Sequence, residues 1–449
     1  MTAIFLVLTA LTLVMLVQSG IALFRARFPH PTDLATVSIV YYGVPLSVAG
    51  YFDLNYRQLV FLANFAADRT LAFQSMIYIT AALIFLRVGH RLGSAMGSPS
   101  LKRLCTLDLF ARERARLAFC GLIGLTLLGI YLFGLRAFLA GYATEGVQGT
   151  GLTGNALIYA TLELMGLTMA FALVLGLVMG RTPLKLLIFA TILIAAAVLA
   201  VRAKRLEIVS ALIPPVVVLL STRGSLSSTQ MRVVGGTLLV ALLVFISAAR
   251  SSDQLGVFQS AFYFFAEGIY AGHSLPGITE RLGLLSLDYE GGARFLTAFL
   301  GFMPRFLWEG KDDMVYAGNL ALEGVAPLGA TSLLAEVVLQ GGVVAVMIVY
   351  LVMGWIFERA ARFEDGWDAA IANGMMPARF GLYLILVANF IPHFRDGIIP
   401  SIKLSLQAGV FFILLAGVPL FRSAFGLVPG DAEPADGAAG GRAPGVQPG

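Results

Sequence analysis

Long apolar runs, each about the length of a bilayer-spanning helix, alternate with short polar stretches along almost the whole chain. The hydrocarbon core of a bilayer is crossed by roughly 20 apolar helical residues, and inside it every backbone polar group must be satisfied within the segment. The pattern therefore predicts an all-α, polytopic membrane protein. Spans are expected near 3–24, 33–51, 70–87, 116–139, 156–179, 185–201, 207–221, 232–249, 331–357, 379–393 and 402–421. The first run, IFLVLTALTLVMLVQSGIALF, has no basic residues before it and no small-residue cleavage site, so it reads as a retained span.

Two stretches break the pattern. Residues 250–330 mix apolar and polar positions, and VFQSAFYFFAEGIYAG and ARFLTAFLGFMPRFLW are too short or interrupted to span. They read as interfacial or re-entrant helices of a large extramembrane insertion within a membrane domain covering 1–428. The tail 429–449 is rich in Pro, Gly and Ala, cannot bury a core, and is expected to be disordered. No inverted-repeat pair of broken helices is legible.

Composition agrees with the periodicity. The chain is 58% hydrophobic and 13% charged, where a soluble domain carries about a quarter charged residues. The net charge of +5 reflects basic loops rather than a nucleic-acid surface. Cys105 in a basic loop and Cys120 inside a span give no reason to expect a disulfide. The loop 87–116 holds Arg87, Arg91, Lys102, Arg103, Arg112, Arg114 and Arg116, which assigns it to the cytoplasm. Counting outward places Arg25, Arg27, Arg181, Lys185, Arg223, Arg232, Arg359, Arg362 and Arg379 on the same side. The N-terminus then lies outside and the C-terminus inside.

Against this bias, Arg202, Lys204 and Arg205 interrupt an apolar stretch on the outer side. Arg250, Arg281, Arg294, Arg305, Lys311, Arg395 and Lys403 fall on that side too. Guanidinium groups bond phosphate oxygens in pairs and stay charged, so an anionic ligand at the outer face is one reading. Interfacial anchoring to lipid headgroups is the other. Four constellations carry the candidate chemistry. Arg202 and Arg205 are a helical turn apart. In GFMPRFLWEGKDD, Arg305, Trp308 and Lys311 follow a proline. In GATSLLAEVVLQGGVVAV, Glu336 sits one turn into an apolar run, as a proton acceptor or as the partner of an outer arginine, and Gly341–Gly342 would permit close helix contact. In NFIPHFRDGIIPSIK, His393, Arg395 and Asp396 cluster between two prolines.

These stretches resemble the Wzy-type O-antigen and exopolysaccharide polymerases. MPRFLWEGK is similar to the family's Pro-Arg…Trp…Lys element in its periplasmic loop, TSLLAEVVLQGGVVAV to the following Glu…Gly-Gly span, and HFRDGIIPSIK to the Arg-containing turn between the last two spans. The resemblance implies a membrane glycosyltransferase of the C type in the bacterial inner membrane, with its site facing the periplasm. Undecaprenyl-diphosphate-linked oligosaccharide would be both donor and acceptor, transferred en bloc, with a chain-length regulator as a further partner and no nucleic acid. The related O-antigen ligases share the layout, and a flippase or transporter of an anionic lipid-linked sugar is the alternative from another class. Arg202, Arg205, Arg305, Lys311, Arg395 and Lys403 would then bind the diphosphate, and Glu336 or His393 would take the proton from the attacking hydroxyl. Asp312–Asp313 do not form an obvious ligand set, so metal independence is expected, and no cofactor.

Overall fold

The computed structural model describes residues 1–53, 68–96, 106–108, 124, 268, 271–300, 322, 331–366, 375–417 and 427–428. The expected spans at 116–139, 156–179, 185–201, 207–221 and 232–249 lie outside the described residues, as does the tail 429–449. So do Arg202, Arg205, Arg305 and Lys311.

Three long helices come first, α1 (Thr2–Arg25), α2 (Pro31–Tyr51) and α3 (Arg69–Ala95). Two short ones follow, α4 (Ser274–Gly283) and α5 (Ala293–Leu300). Then come α6 (Leu333–Ala361), α7 (Ala378–Ile385) and α8 (Ile398–Gly417). Four of these helices are long and apolar enough to cross a membrane: α1, α2, α3 and α6, the last taken through Glu364. The packing pattern of α1 is that of a helix in lipid. Its large apolar residues Ile4, Val7, Val14, Val17 and Phe24 face outward, while its small polar residues Thr12 and Ser19 are fully buried. In water the arrangement would be the reverse. The four apolar helices and this outward apolar face define a helical protein built to sit in a membrane.

Between α3 and α6 the contact is backbone to backbone. A Cβ on Gly89 would overlap the Leu351 carbonyl, one on Gly354 the Leu86 carbonyl, and one on Gly93 would come within 2.9 Å of the Glu358 side chain. Helices in lipid gain no hydrophobic drive from meeting each other, so close approach at small residues supplies the attraction. The segment before α4 uses the same device, because side chains at Gly268 and Gly272 would strike the carbonyls of Tyr41 and Tyr42 midway along α2. Part of the predicted insertion thus reaches well down the side of the helical core.

The expected continuous span 331–357 is broken. At Gly342 the chain takes φ 60° and ψ −143°, outside helical geometry. Leu334 and Tyr350 line one small cavity together with Ile39, Tyr42, Leu275 and Phe394. In a straight helix those two residues would stand about 24 Å apart. The chain therefore turns back at Gly341–Gly342, giving a half-helix α6a (333–340) and a span α6b (343–361). At about 28 Å, α6b is long enough to cross by itself. The carbonyls freed at the break are capped from outside the helix. Glu290 donates its amide to Leu339 O at 3.0 Å, and Gly291 donates to Gln340 O at 3.1 Å. Of the two glycines at the break, Gly342 tolerates a side chain less well, since its φ is positive and the Tyr289 hydroxyl lies 3.2 Å from an added Cβ. Gly342→Ala should cost about 1–3 kcal/mol. A detergent melting curve checks this, with Gly283→Ala, which has open space around it, expected to match the native chain.

Three charge-bearing regions that the sequence assigns to the cytoplasm do meet. Short strands β1 (Thr106–Asp108), β2 (Met375–Pro377) and β3 (Leu427–Val428) form a small antiparallel sheet in the order β2-β1-β3 beside the helices. At the same end, Phe28 packs edge-on to Phe363 with ring centroids 4.8 Å apart. Helix α3 runs two turns beyond its predicted end at 87. Arg87 is thereby carried inside the bundle, 2.7 Å from Asp33 of α2 and bonded to Ser19 of α1.

Candidate functional site

The half-helix α6a positions Glu336. Ser332 caps it, accepting from the Ala335 amide at 3.3 Å, and the Ser332 amide itself donates to Ser274 Oγ at 2.9 Å. A carboxylate in the first turn complements the unpaired amides of a helix start. Glu336 is 2% exposed. Its Oε1 accepts from Arg294 Nη1 at 3.2 Å and from the Thr331 hydroxyl, and its Oε2 accepts from the Ile398 amide at 2.7 Å. Of the two readings open from the sequence, this geometry is the ion pair, with Arg294 as the partner.

Arg294 is 3% exposed and is shared. Its Nε donates to both oxygens of Glu290, at 3.1 and 2.8 Å. Gln340 completes the network. Its Nε2 donates to Glu290 Oε2 at 2.9 Å, and its Oε1 accepts from the amides of Gly292 and Arg294 at 3.1 and 3.3 Å. One guanidinium thus binds the 288–294 segment to the half-helix at the point where the helix breaks. A buried charge of this kind is tolerated only because its hydrogen bonds are made.

His393 lies on the turn that leads into α8. The helix α7 passes into a π turn (Leu386–Phe390) and a short 3-10 helix (Pro392–Arg395) before α8 starts. Pro392 stands at the start of that 3-10 helix, and Ser401 Oγ ties the turn by bonding the carbonyls of His393 and Gly397, at 2.9 and 2.7 Å. His393 is buried, with Nδ1 2.8 Å from Asp396 Oδ2. An imidazole that donates from Nδ1 to a carboxylate keeps a lone pair on Nε2, the form that accepts a proton. Arg395 Nε stands 3.7 Å from the other oxygen of Asp396. Lys403 lies in the second turn of α8 and is partly buried.

Gly397 joins the two candidates. Its φ is 91°, and a Cβ there would fall onto the Glu336 carboxylate. Only a residue without a side chain lets the turn close over Glu336 and aim the Ile398 amide at it. The structure therefore brings Glu336, His393, Arg395 and Asp396 into one neighbourhood from stretches far apart in sequence. The described residues do not include Arg202, Arg205, Arg305 or Lys311, so their placement relative to this neighbourhood is outside the description. Sequence reasoning missed Arg294 as the Glu336 partner, along with Glu290, Gln340, Thr331 and Gly397. The Glu-x-x-x-Arg spacing at 290–294 and the glycine after His-Phe-Arg-Asp were the available signals.

No protein-family model, curated protein or solved structure matches the chain.

Proposed function

We propose that the protein is a membrane glycosyltransferase that extends a glycan on an undecaprenyl diphosphate carrier at the outer face, as a repeat-unit polymerase. The observation that carries this reading is the meeting of two family-like stretches, with the Ile398 amide bonded to the Glu336 carboxylate. In such a reaction the acceptor hydroxyl attacks the anomeric carbon of the donor, its proton passes to a base, and the lipid diphosphate leaves. Cationic side chains at the outer face offset the charge that grows on the leaving diphosphate. Arg395 and Lys403 are the described members of that set, and Arg202, Arg205, Arg305 and Lys311 are its further candidates.

Between the two candidate bases the geometry favours His393. Three donors already occupy Glu336, whereas His393 is oriented by Asp396 with Nε2 left to accept. At saturating donor, His393→Ala should lower turnover by about 10²–10⁴-fold with donor binding retained. Glu336→Gln should lower melting temperature and donor binding together. Turnover lost in Glu336→Gln with stability and binding intact would assign the base to Glu336 instead.

The direct test of the activity is purified protein in liposomes supplied with lipid-linked repeat units. A ladder of longer glycans with release of lipid diphosphate is the expected result. Transfer to a lipid A-type acceptor with no ladder would indicate a ligase. A second reading, transport of an anionic lipid-linked sugar, is favoured by one specific observation: a broken helix with a buried Glu336–Arg294 pair beside the break. That reading requires movement of the intact substrate between leaflets of protein-bearing liposomes without any change in glycan length.

A further inference from the structure

At the end of the bundle that the charge pattern assigns to the cytoplasm, three elements converge on one carboxylate. His30 immediately precedes α2, His90 stands near the end of α3, and Glu358 lies near the end of α6b. His30 Nε2 is 3.2 Å from Glu358 Oε2, and His90 Nδ1 is 3.1 Å from the same oxygen. One ligand atom from each of the three residues lies within 4.8 Å of the other two. The two rings meet edge to face with centroids 4.8 Å apart.

The contact of His90 is the telling one. Its Nδ1 is buried and close to Oε2, yet it is not aligned for a hydrogen bond. A proton on Nδ1 would point off the line to the oxygen, and a lone pair there points the same way. A cation bound to both atoms sits off that line, where such a lone pair reaches it. We propose that His30, His90 and Glu358 form a binding site for a divalent cation of the zinc type, which clamps the start of α2, the end of α3 and the end of α6b together.

Bond lengths fit this assignment. Zinc binds imidazole nitrogen and carboxylate oxygen at about 2.0–2.2 Å, so neighbouring ligands of a tetrahedral ion stand roughly 3.3–3.5 Å apart. The two separations from Glu358 Oε2 need to open only slightly. Two imidazoles and one carboxylate leave a fourth position for water. The surroundings orient the ligands as well. Arg362 Nε donates to the other oxygen, Oε1, at 3.1 Å, which leaves Oε2 for the ion. Arg362 is in turn anchored at 2.8 Å on the carbonyls of both Gly93 and Ser94. Such outer partners fix the direction of a ligating carboxylate. Gly93 allows Glu358 its close approach to α3. The side chains of His30, His90 and Glu358 are 21%, 29% and 13% exposed, so an ion has a path from solvent.

Binding has one identifiable cost. The Thr32 amide donates to His30 Nδ1 at 3.2 Å, which places the ring proton on Nε2. A cation at Nε2 displaces that proton to Nδ1, and the long cap bond to Thr32 opens. The site is separate from the outer-face chemistry, where no metal is expected, and it stands whatever reaction that face performs.

The test uses the full chain in detergent, with any affinity tag removed and metal stripped by a chelator, titrated with Zn²⁺ and with Co²⁺ as a spectroscopic probe. The expected result is one equivalent of Zn²⁺ per chain, a tetrahedral Co²⁺ absorption displaced by Zn²⁺, and a raised melting temperature. His90→Gln and Glu358→Gln should each weaken binding at least about tenfold. His90→Gln keeps the Glu358–Arg362 pair, so it carries the test if Glu358→Gln fails to fold. Absence of a bound equivalent in the native chain would overturn the proposal. So would native affinity in both His90→Gln and His30→Gln.

Discussion

Gly354→Val should yield little or no folded protein. The Cβ of any residue at 354 would fall on the main-chain carbonyl of Leu86, and Gly89 faces the Leu351 carbonyl in the same way. A flexible side chain could move aside, but a carbonyl inside a helix cannot move without losing its own hydrogen bond. Helices α3 and α6b would have to separate along their whole contact. In lipid no hydrophobic gain would draw them back, because acyl chains solvate the exposed faces equally well. The loss should exceed about 4–5 kcal/mol, the exceptional range for a single substitution. Gly354→Ala should already be strongly destabilised, since the Cβ alone makes the overlap. Gly20→Val on α1, where nothing lies within 4 Å of an added Cβ, should behave as the native chain. Size-exclusion profiles and melting curves in mild detergent give the comparison. A monodisperse Gly354→Val protein with native melting would show that the two helices do not approach this closely.

Arg294→Met should be the most damaging change at the candidate site. It removes the only ion-pair partner of Glu336 among the described residues and leaves a carboxylate that is 2% exposed. Breaking a buried pair from one side costs about 3–5 kcal/mol, because the remaining charge keeps its desolvation penalty. The 288–294 segment also loses one of its holds on α6a, since Arg294 joins Glu290 to Glu336. The caps on the carbonyls at the helix break would then rest on Gln340 and the amides of Glu290 and Gly291. Adding Glu336→Gln to Arg294→Met should recover a substantial part of the loss by removing the stranded charge. A double-mutant cycle measures this directly, and a coupling near zero would mean that Arg294 and Glu336 act independently. Such a result would leave the half-helix held by its Ser332 cap, the Thr331 and Ile398 bonds to Glu336 and the Gln340 contacts.

Much of the layout was legible because lipid imposes a simple rule on sequence. The apolar runs at 3–24 and 33–51 became α1 and α2 almost to the residue, since length and continuity of apolar character decide a span. The charge bias likewise grouped the regions around β1, β2 and β3, which the structure does join in one sheet. The run at 70–87 was cut short at Arg87 because a charge normally marks a span's end. The helix continues to Ala95 because Asp33 and Ser19 receive that guanidinium inside the bundle. No local pattern around residue 87 announces a partner 54 positions away.

The candidate site divides along the same line. Residue type and position near an apolar boundary singled out Glu336 and His393 from the sequence. Their roles depended on what faces them. Glu336 is held by Arg294, Thr331 and the Ile398 amide, while His393 is held by Asp396 three residues on. The second of these is local and was visible as His-Phe-Arg-Asp. The first is assembled from three separate stretches. Gly341–Gly342 shows the limit most clearly. Two glycines in an apolar run fit close helix contact as well as a helix break, because both need a residue without a side chain. The choice was made by Glu290 and Gly291, whose amides cap the freed carbonyls of Leu339 and Gln340. The sequence by itself thus determined the solvent this chain is built for, where several helices run, and which residue types carry its unusual charges. Only the tertiary structure decided which charges pair, where one helix turns back, and that His30, His90 and Glu358 converge. Those outcomes rest on contacts between residues far apart in the chain, and a one-dimensional pattern holds no record of distance in space.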